Sequence, residues 1–241
     1  MAKRIVVFGD SWAYGSDLVD PALIPILEKE GYGVQDAEYK YFHKNLPYRE
    51  EHRYSNILQK ELGIPVDNLS EQGDSLIGMR VKFIEWMHQQ PQDCSDTLVI
   101  FATTAHERYS FYSAKDKQWL HSGYLQYGGM HHPLVDHWKR HLVHSSSPEL
   151  HDYTLLDFVM TSRALCKEHN MSWIYAPVFP AHSHGSITDE FVTDWSLTDV
   201  CQQREMEGHN VWAWGEHPNE LGHKFIAKHL ISFMKERTLI Q

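Results

Sequence analysis

Along the chain, short continuous apolar runs alternate with longer segments whose apolar residues recur at helical spacing. Ile5-Val6-Val7-Phe8 is an unbroken, mostly β-branched run, the pattern of a strand buried on both faces. Arg53 to Leu62 sets Ile57, Leu58 and Leu62 on one side and stops at Gly63, predicting a helix. Ile64 to Leu69 predicts a second short strand. Ser75 to Gln90 predicts an amphipathic helix through Leu76, Met79, Phe83, Ile84 and Met87. Thr97 to Phe101 predicts a third strand, Tyr153 to His169 a helix with Leu155, Phe158, Val159, Ser162 and Leu165 inward, and Trp173 to Val178 a fourth strand. Pro218 to Arg237 closes the chain as a helix with Leu221, Phe225, Leu230, Phe233 and Met234 on its core face.

Three stretches break this rhythm. Residues 17–49 carry Pro21, Pro25, Gly31, Gly33 and Pro47 and read as an irregular insertion. Residues 107–150 are rich in His, Tyr and Trp and too long for a plain connection, which predicts a lid or a binding excursion. Pro180 to Gly208 reads mostly as loop. The order of elements predicts an α/β fold, a three-layer α/β/α sandwich around a central parallel sheet of the flavodoxin-like kind. A length of 241 residues fits one domain, 1–241, with insertions at about 17–49 and 107–150. Ligands in such folds bind beyond the carboxyl ends of the strands. The first strand ends at Gly9-Asp10-Ser11.

Composition narrows the partners. A net charge of −10 argues against a broad phosphate-binding face, so no nucleic-acid partner is expected. With 42 % apolar and 22 % charged residues the chain reads as an ordinary soluble protein. The apolar run at Ile5 to Gly9 breaks at Asp10, so it reads as a strand rather than a signal segment. No membrane association and a cytoplasmic location are the expectation, compatible with release by lysis. Cys94, Cys166 and Cys201 have no metal or redox spacing and read as buried thiols.

Two segments could carry chemistry. In Phe8-Gly9-Asp10-Ser11-Trp12-Ala13-Tyr14-Gly15 a serine follows a buried strand directly, which presents its hydroxyl at the rim of the sheet. The alternative is a strand–turn–helix junction capped by serine. In Trp214-Gly215-Glu216-His217-Pro218-Asn219-Glu220-Leu221-Gly222-His223 a histidine precedes a helix on a loop near the same rim, a sound place for a general base. The alternative is that Pro218 and Asn219 only start the helix.

Taken together, GDS near the start and HPNxxGH near the end resemble the GDSL/SGNH hydrolase family of esterases, lipases, thioesterases and carbohydrate deacetylases. The resemblance implies Ser11 as nucleophile, with Gly9 and Asp10 supporting it, and His217 as base. It also implies an oxyanion hole built from the Ser11 and Gly73 N–H groups, since Asn68-Leu69-Ser70-Glu71-Gln72-Gly73-Asp74-Ser75 matches the family's second block. No cofactor and no metal are implied.

Two positions depart from the family. Its oxyanion Asn falls here at Ala105, which leaves Thr104 or His106 as substitute donors; one lost donor costs about 10²–10³ in rate. Its triad Asp falls at Trp214, and Glu216 beside the histidine would point away from the ring, which predicts a Ser–His dyad oriented by a backbone carbonyl. His131-His132 and His182-Ser183-His184 lack acidic or Cys partners at metal-ligand spacing. Trp119, Tyr124, Tyr127 and Trp138 would stack on a sugar, line an acyl pocket or form the insertion's own core. The reading is a serine hydrolase acting on a small-molecule or carbohydrate ester. Its rivals are a catalytically degenerate carbohydrate- or acyl-binding protein, an acyltransferase and a structural or assembly protein.

Overall fold

The computed structural model describes residues 1–90, 93–105, 108–115, 117–121, 148–180, 192–213 and 215–241. Its elements are β1 (Arg4–Gly9), α1 (Ser11–Tyr14), α2 (Ile24–Lys29), α3 (Ala37–Lys40), α4 (Phe42–His52), α5 (Tyr54–Leu62), β2 (Val66–Asn68), α6 (Leu76–Met87), β3 (Thr97–Ala102), β4 (Ser110–Ser113), β5 (Gln118–His121), α7 (Pro148–Glu168), β6 (Ser172–Tyr175), α8 (Leu197–Met206) and α9 (Glu220–Glu236). The main sheet runs β2-β1-β3-β6, with every pair parallel. That order, with the chain reversing direction across β1 and β3, is the flavodoxin-like arrangement expected from the sequence.

The period-two geometry of a strand sends alternate side chains to opposite faces, and here both faces are apolar. Val6 and Phe8 join Val99, Phe101, Trp173 and Tyr175 under α6 and α7. Ile5 and Val7 join Leu98, Ile100 and Ile174 under α5, α8 and α9. Two cores on one sheet make three layers. In the first core Phe8 meets Phe83 edge-on at 5.4 Å, and Phe101 meets Phe158 edge-on at 5.4 Å. Truncating one such ring to alanine would cost about 3–5 kcal/mol.

The elements differ from expectation in three places. The 17–49 segment is not irregular: it holds α2, α3 and most of α4. Pro25 does not break α2, because it sits in the first turn, where its missing N–H has no helical partner to lose. Within Pro180 to Gly208, α8 is a helix of ten residues. It is started by a reciprocal cap, in which the Ser196 hydroxyl accepts from the Asp199 N–H and the Asp199 carboxylate accepts from the Ser196 N–H. Leu197, Val200 and Cys201 are buried beneath it. Finally, the 107–150 segment contains the antiparallel hairpin β4–β5, where Trp119 packs on Tyr112 at 5.7 Å. Tyr124, Tyr127, Trp138, His131-His132 and His182-Ser183-His184 lie outside the described residues, so those expectations stand where the sequence left them. All three cysteines are buried, and among the described residues no helix is long and apolar enough to cross a membrane.

Candidate active site

β1 delivers the nucleophile candidate. Asp10 leaves the strand in extended backbone and caps α1, its carboxylate accepting from the Trp12 N–H at 3.0 Å. Ser11 therefore opens a helical turn at the carboxyl edge of the sheet and is 4 % exposed. Gly9 allows this turn to lie against the neighbouring strand. A Cβ on Gly9 would stand 2.6 Å from Ala13 Cβ and 2.9 Å from Ala102 Cβ, too close for either to remain in place.

The base candidate comes from the far end of the chain. Its loop is a tight antiparallel turn: Trp212 bridges Pro218, the Ala213 N–H donates to the His217 carbonyl at 2.8 Å, and the Asn219 N–H donates to the Val211 carbonyl at 2.9 Å. Asn219, not Pro218, caps α9, its side chain accepting from the Leu221 and Gly222 N–H groups. This bracing sets His217 across from Ser11, with His217 Nε2 2.8 Å from Ser11 Oγ. The two residues implied by the sequence motifs are thus in hydrogen-bonding contact.

The other ring nitrogen corrects the sequence expectation. His217 Nδ1 lies 2.7 Å from a carboxylate oxygen, Asp17 Oδ2. The Asp17 side chain is 6 % exposed and the His217 side chain 21 %. With Asp17 ionised, Nδ1 carries the proton and donates it, which leaves Nε2 as the acceptor facing the serine hydroxyl. The candidate acid comes from the loop after the candidate nucleophile and not from the histidine's own block. Trp214, which occupies the family's usual acid position, lies outside the described residues. Glu216 has left-handed backbone, with φ 62°, and is exposed.

Asp17 itself stands in left-handed backbone at φ 67°, an uncommon conformation for a residue with a side chain. The reason its partner loop reads Trp-Gly-Glu-His is steric. A Cβ on Gly215 would lie 3.1 Å from Asp17 Cγ and closer still to Oδ2, so only glycine leaves room for the carboxylate. Sequence reasoning missed Asp17 because it sought the acid at a fixed spacing before the histidine. The available signal was an aspartate six positions after the serine, opposite a glycine two positions before the base.

The candidate oxyanion donors are the Ser11 and Gly73 N–H groups. Past β2 the chain keeps pairing with β1, the Leu69 N–H donating to the Val7 carbonyl and the Glu71 N–H to the Gly9 carbonyl. This carries the strand-end loop to the level of Ser11 before it turns at Gly73, with φ 74°. Among the described residues, neither the Ser11 nor the Gly73 N–H makes a hydrogen bond. Thr104 is a correction. Its hydroxyl donates to Asp10 Oδ2 at 2.6 Å, so its proton is committed to the capping carboxylate. Arg108 Nη1 donates to the same oxygen at 2.6 Å. Asp10 is fully buried, and these two donors with the Trp12 N–H compensate its charge. His106 lies outside the described residues. Beside the site, the Trp12 ring lies 6.3 Å from the His217 ring and packs edge-on with Trp212 and Phe179, both half-buried. Among the described residues no three His, Cys, Asp or Glu converge as metal ligands.

The fold and these contacts define a class: a three-layer α/β protein carrying a Ser–His–Asp line at the carboxyl edge of its first strand. No family profile and no curated protein sequence matches the chain. Similar solved structures include LAE5, an alpha/beta hydrolase enzyme from the metagenome of Lake Arreo, Spain, with 14 % identity over 98 % of this chain and 97 % of that one at a TM-score of 0.50. The psychrotrophic esterase EstA from Pseudoalteromonas sp. shares 12 % identity over 98 % of each chain at 0.49, and a lipolytic protein of the G-D-S-L family from Veillonella parvula 14 % over 95 % and 96 % at 0.42. At 14 % identity the likeness to LAE5 is one of fold.

Proposed function

We propose that this protein is a serine hydrolase that cleaves esters. One observation carries the reading: the continuous line Ser11 Oγ, His217 Nε2, His217 Nδ1, Asp17 Oδ2, with contacts of 2.8 and 2.7 Å. A serine hydroxyl is a weak nucleophile at neutral pH. An imidazole that accepts its proton, and is held in the right tautomer by a carboxylate, removes that limitation. Ser11 Oγ attacks the acyl carbon as its proton passes to His217 Nε2. The tetrahedral oxyanion forms against the Ser11 and Gly73 N–H groups. Collapse breaks the bond to the alcohol oxygen, which takes the proton from His217 and departs. Water then repeats the sequence on the acyl-serine, His217 acting as base, and releases the carboxylic acid. Asp17 stabilises the imidazolium formed at each stage without taking its proton.

The substrate to test first is a small acyl ester, including O-acetyl groups on a carbohydrate, because the half-buried Trp212 and Phe179 packed around Trp12 offer flat apolar faces near His217. The test is hydrolysis of p-nitrophenyl acetate and butyrate by the wild type, Ser11→Ala and His217→Ala. Turnover in the wild type that falls about 10⁶-fold in each variant is expected. Turnover that survives Ser11→Ala rejects the reading.

A further inference from the structure

We propose that the 18–53 segment is the brace of the catalytic acid, and that Asn45 on α4 is the positioning residue that holds Asp17 against His217. The inference rests on the reading of Asp17 as the acid. Asp17 stands in left-handed backbone, which a residue with a side chain keeps only when its surroundings enforce it. The structure supplies that enforcement from the insertion. The Asn45 side chain is 1 % exposed. Its Nδ2 donates to the Leu18 carbonyl at 2.9 Å, and its Oδ1 accepts from the Asp20 N–H at 2.8 Å. One carboxamide thus grips the backbone on both sides of Val19, immediately after the acid. Only a carboxamide, that of Asn or of the one-methylene-longer Gln, offers a donor and an acceptor in this fixed pair.

Two further contacts close the brace. The Val19 side chain is buried in a small core with Leu23, Leu27 and Ala37, formed by α2 and α3 themselves. On the near side of Asp17, the Arg49 guanidinium of α4 lies 4.1 Å from the centre of the Tyr14 ring, at the end of the nucleophile's own helical turn. A Cβ on Gly15 would stand 3.0 Å from Arg53 Cβ and 3.2 Å from Arg49 Cγ, so the chain between Ser11 and Asp17 is packed directly on this segment. The insertion therefore does for this acid what a short fixed spacing does when acid and base share one loop. It makes the 18–53 segment part of the catalytic frame.

The experiment compares Asn45→Ala and Asn45→Ser, each alone and with Asp17→Ala, by kcat and KM for p-nitrophenyl acetate and by the rate of Ser11 phosphonylation. With Asp17 present, both Asn45 variants should lose about 10²-fold in kcat, the cost of moving a catalytic group by roughly 1 Å, with KM unchanged. The far-downfield proton resonance of the His217–Asp17 hydrogen bond should weaken or vanish. In the Asp17→Ala background the same substitutions should cost less than about threefold, because the group they position is gone. An equal loss in both backgrounds, or none with Asp17 present, overturns the brace. Should Asn45→Ala not fold, Asn45→Ser, which keeps a polar group in the buried site, decides the same comparison. An Asp17→Ala variant as active as wild type instead removes the acid reading beneath it.

Discussion

Gly215→Ala is the smallest change that should disable the site without touching any reacting group. The obstacle is Asp17. The new Cβ would stand 3.1 Å from Asp17 Cγ and 3.4 Å from Oδ1, and nearer to Oδ2. Ordinary contact between such atoms is about 3.5–4.0 Å, so the carboxylate must retreat by roughly 1 Å. The 2.7 Å bond to His217 Nδ1 would then open to a separation at which no hydrogen bond remains. A displacement of that size costs about 10² in rate, and complete loss of the acid about 10⁴. The expected barrier increase is therefore about 3–5 kcal/mol. The assay is kcat for p-nitrophenyl acetate, with thermal unfolding as the control for fold. In an Asp17→Ala background Gly215→Ala should cost almost nothing further. A folded Gly215→Ala protein with wild-type turnover, or a full additional loss in the double variant, would refute the reasoning.

Two other predictions concern stability. Arg108→Met leaves the fully buried Asp10 carboxylate without its cationic partner, and urea unfolding should register a loss of about 3 kcal/mol. Asp10→Asn in the same chain should recover part of it. His223 is wholly buried, accepts from the Tyr54 N–H at 3.3 Å, and has its pKa pushed down to about 3, chiefly by burial and then by His217 nearby. In the unfolded chain it titrates near 6.5. The unfolded state binds the proton first, so this contribution is fully present above about 6.5 and is lost as pH falls toward 3, at ~1.4 kcal/mol per pH unit. Unfolding free energies across that range should show a shallower slope in His223→Leu than in the wild type; identical slopes would contradict the assignment.

The sheet was legible because its information is local. Ile5 to Phe8 and Thr97 to Phe101 are continuous apolar runs, and each pairs in the structure as a central parallel strand. Helical spacing marked Leu76, Met79, Phe83 and Met87 of α6 and Leu230, Phe233 and Met234 of α9, all buried. It also chose Ile84, Leu221 and Phe225, which are only partly buried, and passed over the buried Trp86, Ile226 and Ala227. α8 was not legible from apolar spacing, since its start lies in the Ser196–Asp199 cap rather than in a long apolar stripe. Pro25 concealed α2 because a proline reads as a breaker unless its position in the first turn is known. In the site, Ser11 and His217 carry motif signals, whereas the acid does not. Asp17 meets His217 across 200 positions of the chain, opposite Gly215, and the backbone just after it is bonded by Asn45. Such tertiary selection leaves no periodicity to read. The same holds for Thr104, whose hydroxyl is claimed by Asp10 across 94 positions.

The proposed reaction depends on activation of Ser11 by His217. Treatment with a fluorophosphonate probe, followed by mass-spectrometric location of the adduct, tests it directly. One phosphonylated residue is expected, Ser11, with the labelling rate sharply reduced in His217→Ala and in Asp17→Ala. An adduct on another residue, or labelling of Ser11 at an unchanged rate in His217→Ala, would contradict it.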